Sequence, residues 1–183
     1  MLSAAELGTY IDERLTGSAF RLEVLPQYLV DSDGEDFKRF VAGESGPTPE
    51  RKTPWLRRLI GETADGIVNH RVQVVRRPLT DYLRFEAEWG HAYNAAAGED
   101  IRVLDLTESA SPDWLVDHDF WLIDDEHPIR MYYDEHGRFI GADPVLDLLD
   151  RYRSTRDAAV AAAEPFVLWW ATHPEEHRRA QAV

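Results

Sequence analysis

The strongest constraint on this chain is a stretch between residues 68 and 106 whose hydrophobic period runs from two to helical and back to two. Val68 to Arg76 alternates and is rich in β-branched residues, Thr80 to Ala97 carries apolar residues at helical spacing before Gly98, and Ile101 to Leu106 is strand-like again. A helix of that length between two strands predicts a βαβ unit, most simply a right-handed parallel crossover, and so a sheet covered by helices. Within the helix, Tyr82, Phe85, Trp89, Ala92, Tyr93 and Ala96 fall on one apolar face, with Asp81, Arg84, Glu88 and His91 opposite.

The flanks extend this unit in both directions. Ser3 and Glu6 have capping-box spacing ahead of Leu7, Tyr10, Ile11 and Leu15, which predicts a short amphipathic helix. Phe20, Leu22 and Val24 then alternate with Arg21 and Glu23, and Pro26 either demotes this to an edge strand or breaks it. Phe37, Phe40 and Val41 mark a second helix, residues 44–53 a long loop, and Thr53-Pro54 the start of a third helix whose Trp55, Leu56, Leu59 and Ile60 point inward. Beyond the βαβ unit come three short strands, Phe120 to Ile123, Ile129 to Tyr133 and Arg138 to Gly141, the last two joined through Gly137 as a hairpin. A helix from Pro144 carries Val145, Leu148, Leu149 and Tyr152 on one side, Pro165 breaks it, and residues after Thr172 are expected to fray.

The expected fold class is therefore α/β, or α+β: a mixed sheet with a central βαβ unit and a strand hairpin, flanked by N- and C-terminal helices. One domain spans 1–183, with N-terminal helices and the edge strand in 1–66, the βαβ unit and hairpin in 67–143, and the C-terminal helix in 144–173.

Charge excludes some partners. Acidic residues outnumber basic ones 34 to 20, a formal charge of −14, and the resulting field repels nucleic-acid backbones and anionic lipid alike. Direct nucleic-acid and membrane binding are disfavoured. Cysteine is absent, which removes disulfides, thiolate nucleophiles and Cys-bound zinc together. Glu6, Asp12, Glu13 and Arg14 break up the N-terminal segment, so it offers no signal-peptide core, and cytoplasmic residence is the expectation.

Several phrases, in order, resemble an uncharacterised actinobacterial domain family often encoded beside helix-turn-helix regulators. They are Ser18-Ala19-Phe20-Arg21-Leu22-Glu23, Asp81-Tyr82-Leu83-Arg84-Phe85-Glu86, Ala97-Gly98-Glu99-Asp100-Ile101-Arg102, Asp119-Phe120-Trp121-Leu122, and Tyr133-Asp134 leading into Gly137-Arg138-Phe139. The likeness covers residues 15 to 170 and implies a regulatory partnership rather than an activity. A fainter likeness is to a degenerate phospholipase-D-like fold, in which His118, Phe120 and Asp125 occupy the spacing of that family's His, Lys and Asp. The lysine that would hold a phosphoryl oxygen is replaced by Phe120.

Among residues able to carry chemistry, Arg84, Glu86, Tyr93 and Asn94 interrupt or edge the apolar helix face, and Arg21, Glu23 and Arg102 stand on flanking strands. Enclosed charges must be paired, so these residues form either a structural Arg–Glu network or the lining of a polar pocket. Trp121, Tyr132 and Tyr133 fill a core or form an aromatic wall for a small ligand. His173 and His177 lack the glutamate of a zinc-protease motif, since Pro174 holds its place, and the side chains of Asp124, Asp125, Glu126 and His127 alternate too sharply to converge on a cation. No nucleophile elbow, phosphate loop or dinucleotide fingerprint is present.

The candidate ligand-binding set is Arg21, Arg84, Glu86, Tyr93, Asn94, Arg102, His118, Trp121 and Asp125, with no catalytic residue, metal or cofactor assigned. The leading expectation is a non-enzymatic regulatory or interaction module that binds a helix-turn-helix transcriptional regulator or a small-molecule ligand. The alternative is an enzyme acting near Arg84, Glu86 and Asn94, or near His118 and Asp125.

Overall fold

In the computed structural model, which describes residues 1–30 and 33–178, seven strands form one mixed sheet in the order β6-β5-β4-β1-β2-β3-β7. The strands are β1 (Ser18–Glu23), β2 (Val68–Val75), β3 (Asp100–Asp105), β4 (Phe120–Ile123), β5 (His127–Tyr133), β6 (Phe139–Pro144) and β7 (Glu164–Pro165). The expected βαβ unit is present, with β2 and β3 parallel neighbours, and the strands after it form an antiparallel run β4-β5-β6. The fold is α/β.

β1 lies in the middle of the sheet, parallel to β2 on one side and antiparallel to β4 on the other, which corrects its expected place at an edge. Pro26 falls after the strand ends at Glu23 and so removes no ladder hydrogen bond. Alternation along β1 sends Phe20 and Leu22 to one sheet face, where they meet Val72, Val74, Leu104, Phe120 and Leu122. The C-terminal helix Leu149–Ala162 seals this face with Tyr152, Thr155 and Ala159, buried at helical spacing. Tyr152 stacks on Phe120 with ring centroids 3.9 Å apart, and each such buried side chain contributes roughly 1.5–3 kcal/mol.

The other face is covered in patches. The N-terminal helix Ala4–Asp12, with its Ser3–Glu6 capping box formed, packs Leu7 against Ala19, Ile123, Ile129, Met131 and Ala142. Leu79, Leu83 and Ala87, with Phe166 and Trp169 of helix Phe166–Thr172, cover Val75, Ile101 and Val103 at the β3 end. Between these patches β1 and β2 present polar side chains: Arg21 is in register with Arg71, and Glu23 with Gln73.

The helix of the βαβ unit, residues 81–96, is α-helical over Asp81–Phe85, π-helical over Glu86–His91 and α-helical again over Ala92–Ala96. A π-turn inserts one extra residue and rotates everything after it relative to the α-helical period. His91 and Asn94 are consequently buried, while Ala92, Tyr93 and Ala96, expected on the inner face, are exposed. Sequence periodicity alone had placed His91 outward.

Two further expectations are corrected. The third helix runs Pro49–Ala64, with Thr48 as its N-cap residue and Pro49 at its first position, because Thr48-Pro49 offers the same start signal five residues before Thr53-Pro54. Its Leu59 is buried but Ile60 is exposed. Residues 173–178, expected to fray, pack as a strap in which Glu176 is buried and accepts hydrogen bonds from the Leu79 amide at 2.9 Å and the Arg84 guanidinium at 2.9 Å. Residues 179–183 lie outside the described part. No helix among the described residues is long and apolar enough to cross a membrane.

Candidate functional site

The polar stripe of β1 and β2 is the floor of a cleft of about 420 Å³ lying between helices Gly34–Val41 and Pro49–Ala64 and the π-helical segment. Alternation turns Arg21 and Arg71 toward it from the floor, and the π-turn brings Glu86, Gly90, His91 and Asn94 to its wall. Tyr82, Phe85, Trp89 and Trp55 make the wall aromatic, and Lys52 enters from the third helix.

A continuous ionic chain crosses the floor. Arg21 pairs with Glu23 at 2.8 Å, Glu23 with Arg71 at 2.9 Å, and Arg71 with Glu99 at 2.7 Å. Asn94 donates to the other oxygen of Glu99 at 2.9 Å and accepts from the Lys52 ammonium at 2.8 Å. Both oxygens of Glu23 and of Glu99 are thereby engaged. Glu23, despite the cost of burial, is held below the usual carboxylate range by Arg21 and Arg71. Arg21 and Arg71, adjacent across the ladder, would repel one another without Glu23 between them.

Beside this satisfied chain, three enclosed polar atoms of the cleft lining have no hydrogen-bond partner: Arg21 Nε, Glu86 Oε2 and His91 Nε2. An unsatisfied buried polar group costs roughly 1–3 kcal/mol, so three beside one cleft call for a reason. Burial, followed by the proximity of Glu23, pushes the Glu86 carboxyl well above its ordinary range. Burial and then Arg71 pull His91 down to about 4 and Lys52 down to about 8. Asp119 braces the far side, accepting from the Val24 amide at 2.8 Å and the Tyr28 hydroxyl at 2.7 Å, and is raised to about 6 by burial and Glu23.

Of the nine sequence candidates, Arg21, Glu86 and Asn94 line the cleft. Trp121 sits next to Arg21 on β4, its ring 5.3 Å below the guanidinium. Tyr93 is exposed, with its hydroxyl near Gly46. The remaining four lie elsewhere. Arg84 turns to Glu176 of the strap, since its position precedes the π-turn and faces away from the sheet's polar stripe. Arg102 pairs with Asp100 at 3.3 Å on the surface. His118 is held between Asp117 at 2.9 Å and the Tyr152 hydroxyl at 2.8 Å. Asp125 pairs with Arg156 of the C-terminal helix. Neither the Arg84–Glu86 pair nor the His118–Asp125 pair is assembled into one site.

Sequence reasoning missed Arg71, His91, Lys52, Glu99, Trp55 and Trp89 as members of the cleft or its ionic chain. One signal was legible: Asn69, Arg71 and Gln73 alternate along β2 just as Arg21 and Glu23 alternate along β1, which marks a polar stripe on two strands of one parallel pair. His91 could not be found this way, because its inward position depends on the π-turn. Among the described residues no group of three or more His, Asp or Glu side chains could hold a metal ion. His173 and His177 instead stack on Trp169 and Trp170, with centroids 4.5 and 4.2 Å apart.

Compared with known proteins, residues 5–171 match the model of a family described as a domain of unknown function, DUF6879. No curated protein matches the chain.

Proposed function

We propose that this chain, which belongs to the DUF6879 family, is a regulatory module that binds a small molecule in the cleft between the π-helical segment and the β1–β2 floor. The observation that carries this reading is that three residues lining one cleft, Arg21, Glu86 and His91, each hold an enclosed polar atom without a partner: Nε, Oε2 and Nε2. The aromatic wall and the volume of about 420 Å³ suit a small organic ligand. The resemblance to actinobacterial proteins encoded beside helix-turn-helix regulators supplies the partner in this proposal. The chain's −14 charge complements the basic, DNA-contacting face of such a regulator.

Catalytic turnover of the bound molecule is the second reading, favoured by the Lys52 ammonium, lowered to about 8, standing in the same cleft as Glu86 and His91. Recovery of the ligand unchanged after prolonged incubation separates binding from turnover.

The test is a thermal-shift screen of the full chain against a mixed panel of carboxylates, amines, phosphates and neutral metabolites, run beside Gly90→Leu. Gly90 lines the cleft, and a Cβ there meets only the Glu86 Cβ at 3.9 Å, so the leucine fills the cleft without a clash at its root. A ligand at a hundredfold excess over its Kd stabilises the native chain by about 2.7 kcal/mol. The expected result is stabilisation of the native chain and not of Gly90→Leu. No hit, or equal stabilisation of both, removes the reading.

A further inference from the structure

We infer that the cleft receives a small organic carboxylate with a flat apolar body, its anionic end met by Arg21, Lys52 and Glu86 and its body by the aromatic wall of Tyr82, Phe85 and Trp89. This inference rests on the ligand-binding reading above and names the chemistry of the ligand.

Hydrogen-bond capacity left over at the floor decides the sign of the ligand. The carboxylates of the ionic chain are spent, since Glu23 receives Arg21 and Arg71 while Glu99 receives Arg71 and Asn94. The cations are not spent. Arg21 uses its terminal nitrogen on Glu23, and its Nε–H is enclosed without an acceptor. Lys52 commits two of its three protons, to Asn94 Oδ1 and the Gly90 carbonyl, leaving a third. Arg21 and Lys52 thus keep donor capacity beyond what Glu23 and Asn94 take up.

Glu86 completes the set. Arg21 and Glu23 on β1, Arg71 on β2 and Asp33 from the loop before the second helix all act on it, and burial favours its protonated form. Its Oε2 has no partner in the chain, and a protonated carboxyl there is a donor for which a ligand carboxylate is the acceptor. Asp36 at the cleft rim is taken up by Thr48, Arg39 and Arg51, and Asp33 accepts from the Tyr82 hydroxyl at 3.3 Å. Next to the donors, Tyr82, Phe85 and Trp89 continue into an edge-to-face ring cluster with Phe37 and Phe40, so the wall beyond the anionic end is rigid and apolar.

The experiment uses a matched triad with one body: 3-phenylpropionate, its amide, and 3-phenylpropylamine. Binding to the full chain is followed by the change in tryptophan fluorescence, since Trp55 and Trp89 are in the cleft lining. The carboxylate is expected to bind at least about tenfold more tightly than the amide or the amine, as a charge-assisted hydrogen bond adds that much. Lys52→Gln, whose site on the third helix is only half-buried, is expected to lose most of that preference while still folding. Glu86→Ala, which removes the proposed donor, is expected to weaken carboxylate binding about tenfold. Preference for the amine, equal binding of the amide, or undiminished carboxylate binding by both Lys52→Gln and Glu86→Ala overturns the assignment of an anionic ligand. If only another class of the panel binds, and Gly90→Leu blocks it, the carboxylate assignment fails while the ligand-binding reading stands. If nothing binds, both fail.

Discussion

At the scale of single residues, the molecule holds an unusual number of ionisable groups away from water, and their titration is a direct probe of the cleft. His91 is buried and neutral down to about pH 4, whereas in the unfolded chain an imidazole takes up a proton near pH 6.5. Above pH 6.5 neither state is protonated, and the folded state carries no penalty. As pH falls from 6.5 to 4 the unfolded state gains a proton that the folded state refuses, so stability is lost across that window, by on the order of 3 kcal/mol. Denaturant unfolding of the native chain and of His91→Gln across pH 4 to 7.5 measures this; the variant is expected to show the shallower decline, and parallel declines would mean that His91 is not enclosed. Arg71 had a legible signal, since polar residues alternate along β2 in phase with those on β1, but a lone histidine in a helix has none. Its burial is a property of its surroundings, Arg71, Glu23, Glu99 and Lys52, which come from four different parts of the chain.

At the scale of elements, the π-helical segment and the turn at Gly137 do most to shape the cleft. Glu86–His91 shifts the helix phase so that His91 and Asn94 replace Ala92 and Tyr93 on the inner face. Gly137 in the hairpin between β5 and β6 adopts φ +81°, donates to Asp134 and offers its carbonyl to Leu29 at 2.9 Å, which ties the segment carrying Tyr28 to the sheet. A Cβ at Gly137 would run into the Gln27 carbonyl, whereas a Cβ at Gly66, also at positive φ, meets nothing within 4 Å. Gly66→Ala is therefore expected to cost about 1 kcal/mol, the backbone term alone, and Gly137→Ala at least about 2 kcal/mol, the same term plus a steric clash. Equal losses in chemical denaturation would show that the hairpin does not press on residues 27–28. The hairpin turn was readable from Asp134 to Gly137, but its docking on residue 27 is a contact across 110 positions of chain that no local pattern encodes.

At the scale of the whole molecule, the charge of −14 is the property most relevant to a macromolecular partner. The proposed complex with a helix-turn-helix regulator is steered by opposite charges and should weaken steeply with salt, since the screening length falls from about 10 Å at 0.1 M to about 3 Å at 1 M. Co-purification with such a regulator is expected at about 0.1 M salt and its loss toward 1 M, and no complex at any ionic strength would remove the partnership from the proposal. The sequence by itself determined the βαβ unit, the hairpin of β5 and β6 after it, the capping box at Ser3 and the alternation of Arg21 and Glu23 against Phe20 and Leu22. Each of these is set by neighbours within a turn or two of chain, through periodicity, capping and turn chemistry. Only the tertiary structure decided that β1 is central, that the helix slips phase at Glu86, that Glu176 docks under Arg84, and that Arg71, His91 and Lys52 share a cleft with Glu86. Those outcomes turn on which strand pairs with which and on what covers a polar stripe, and both are settled by contacts between segments far apart in the chain.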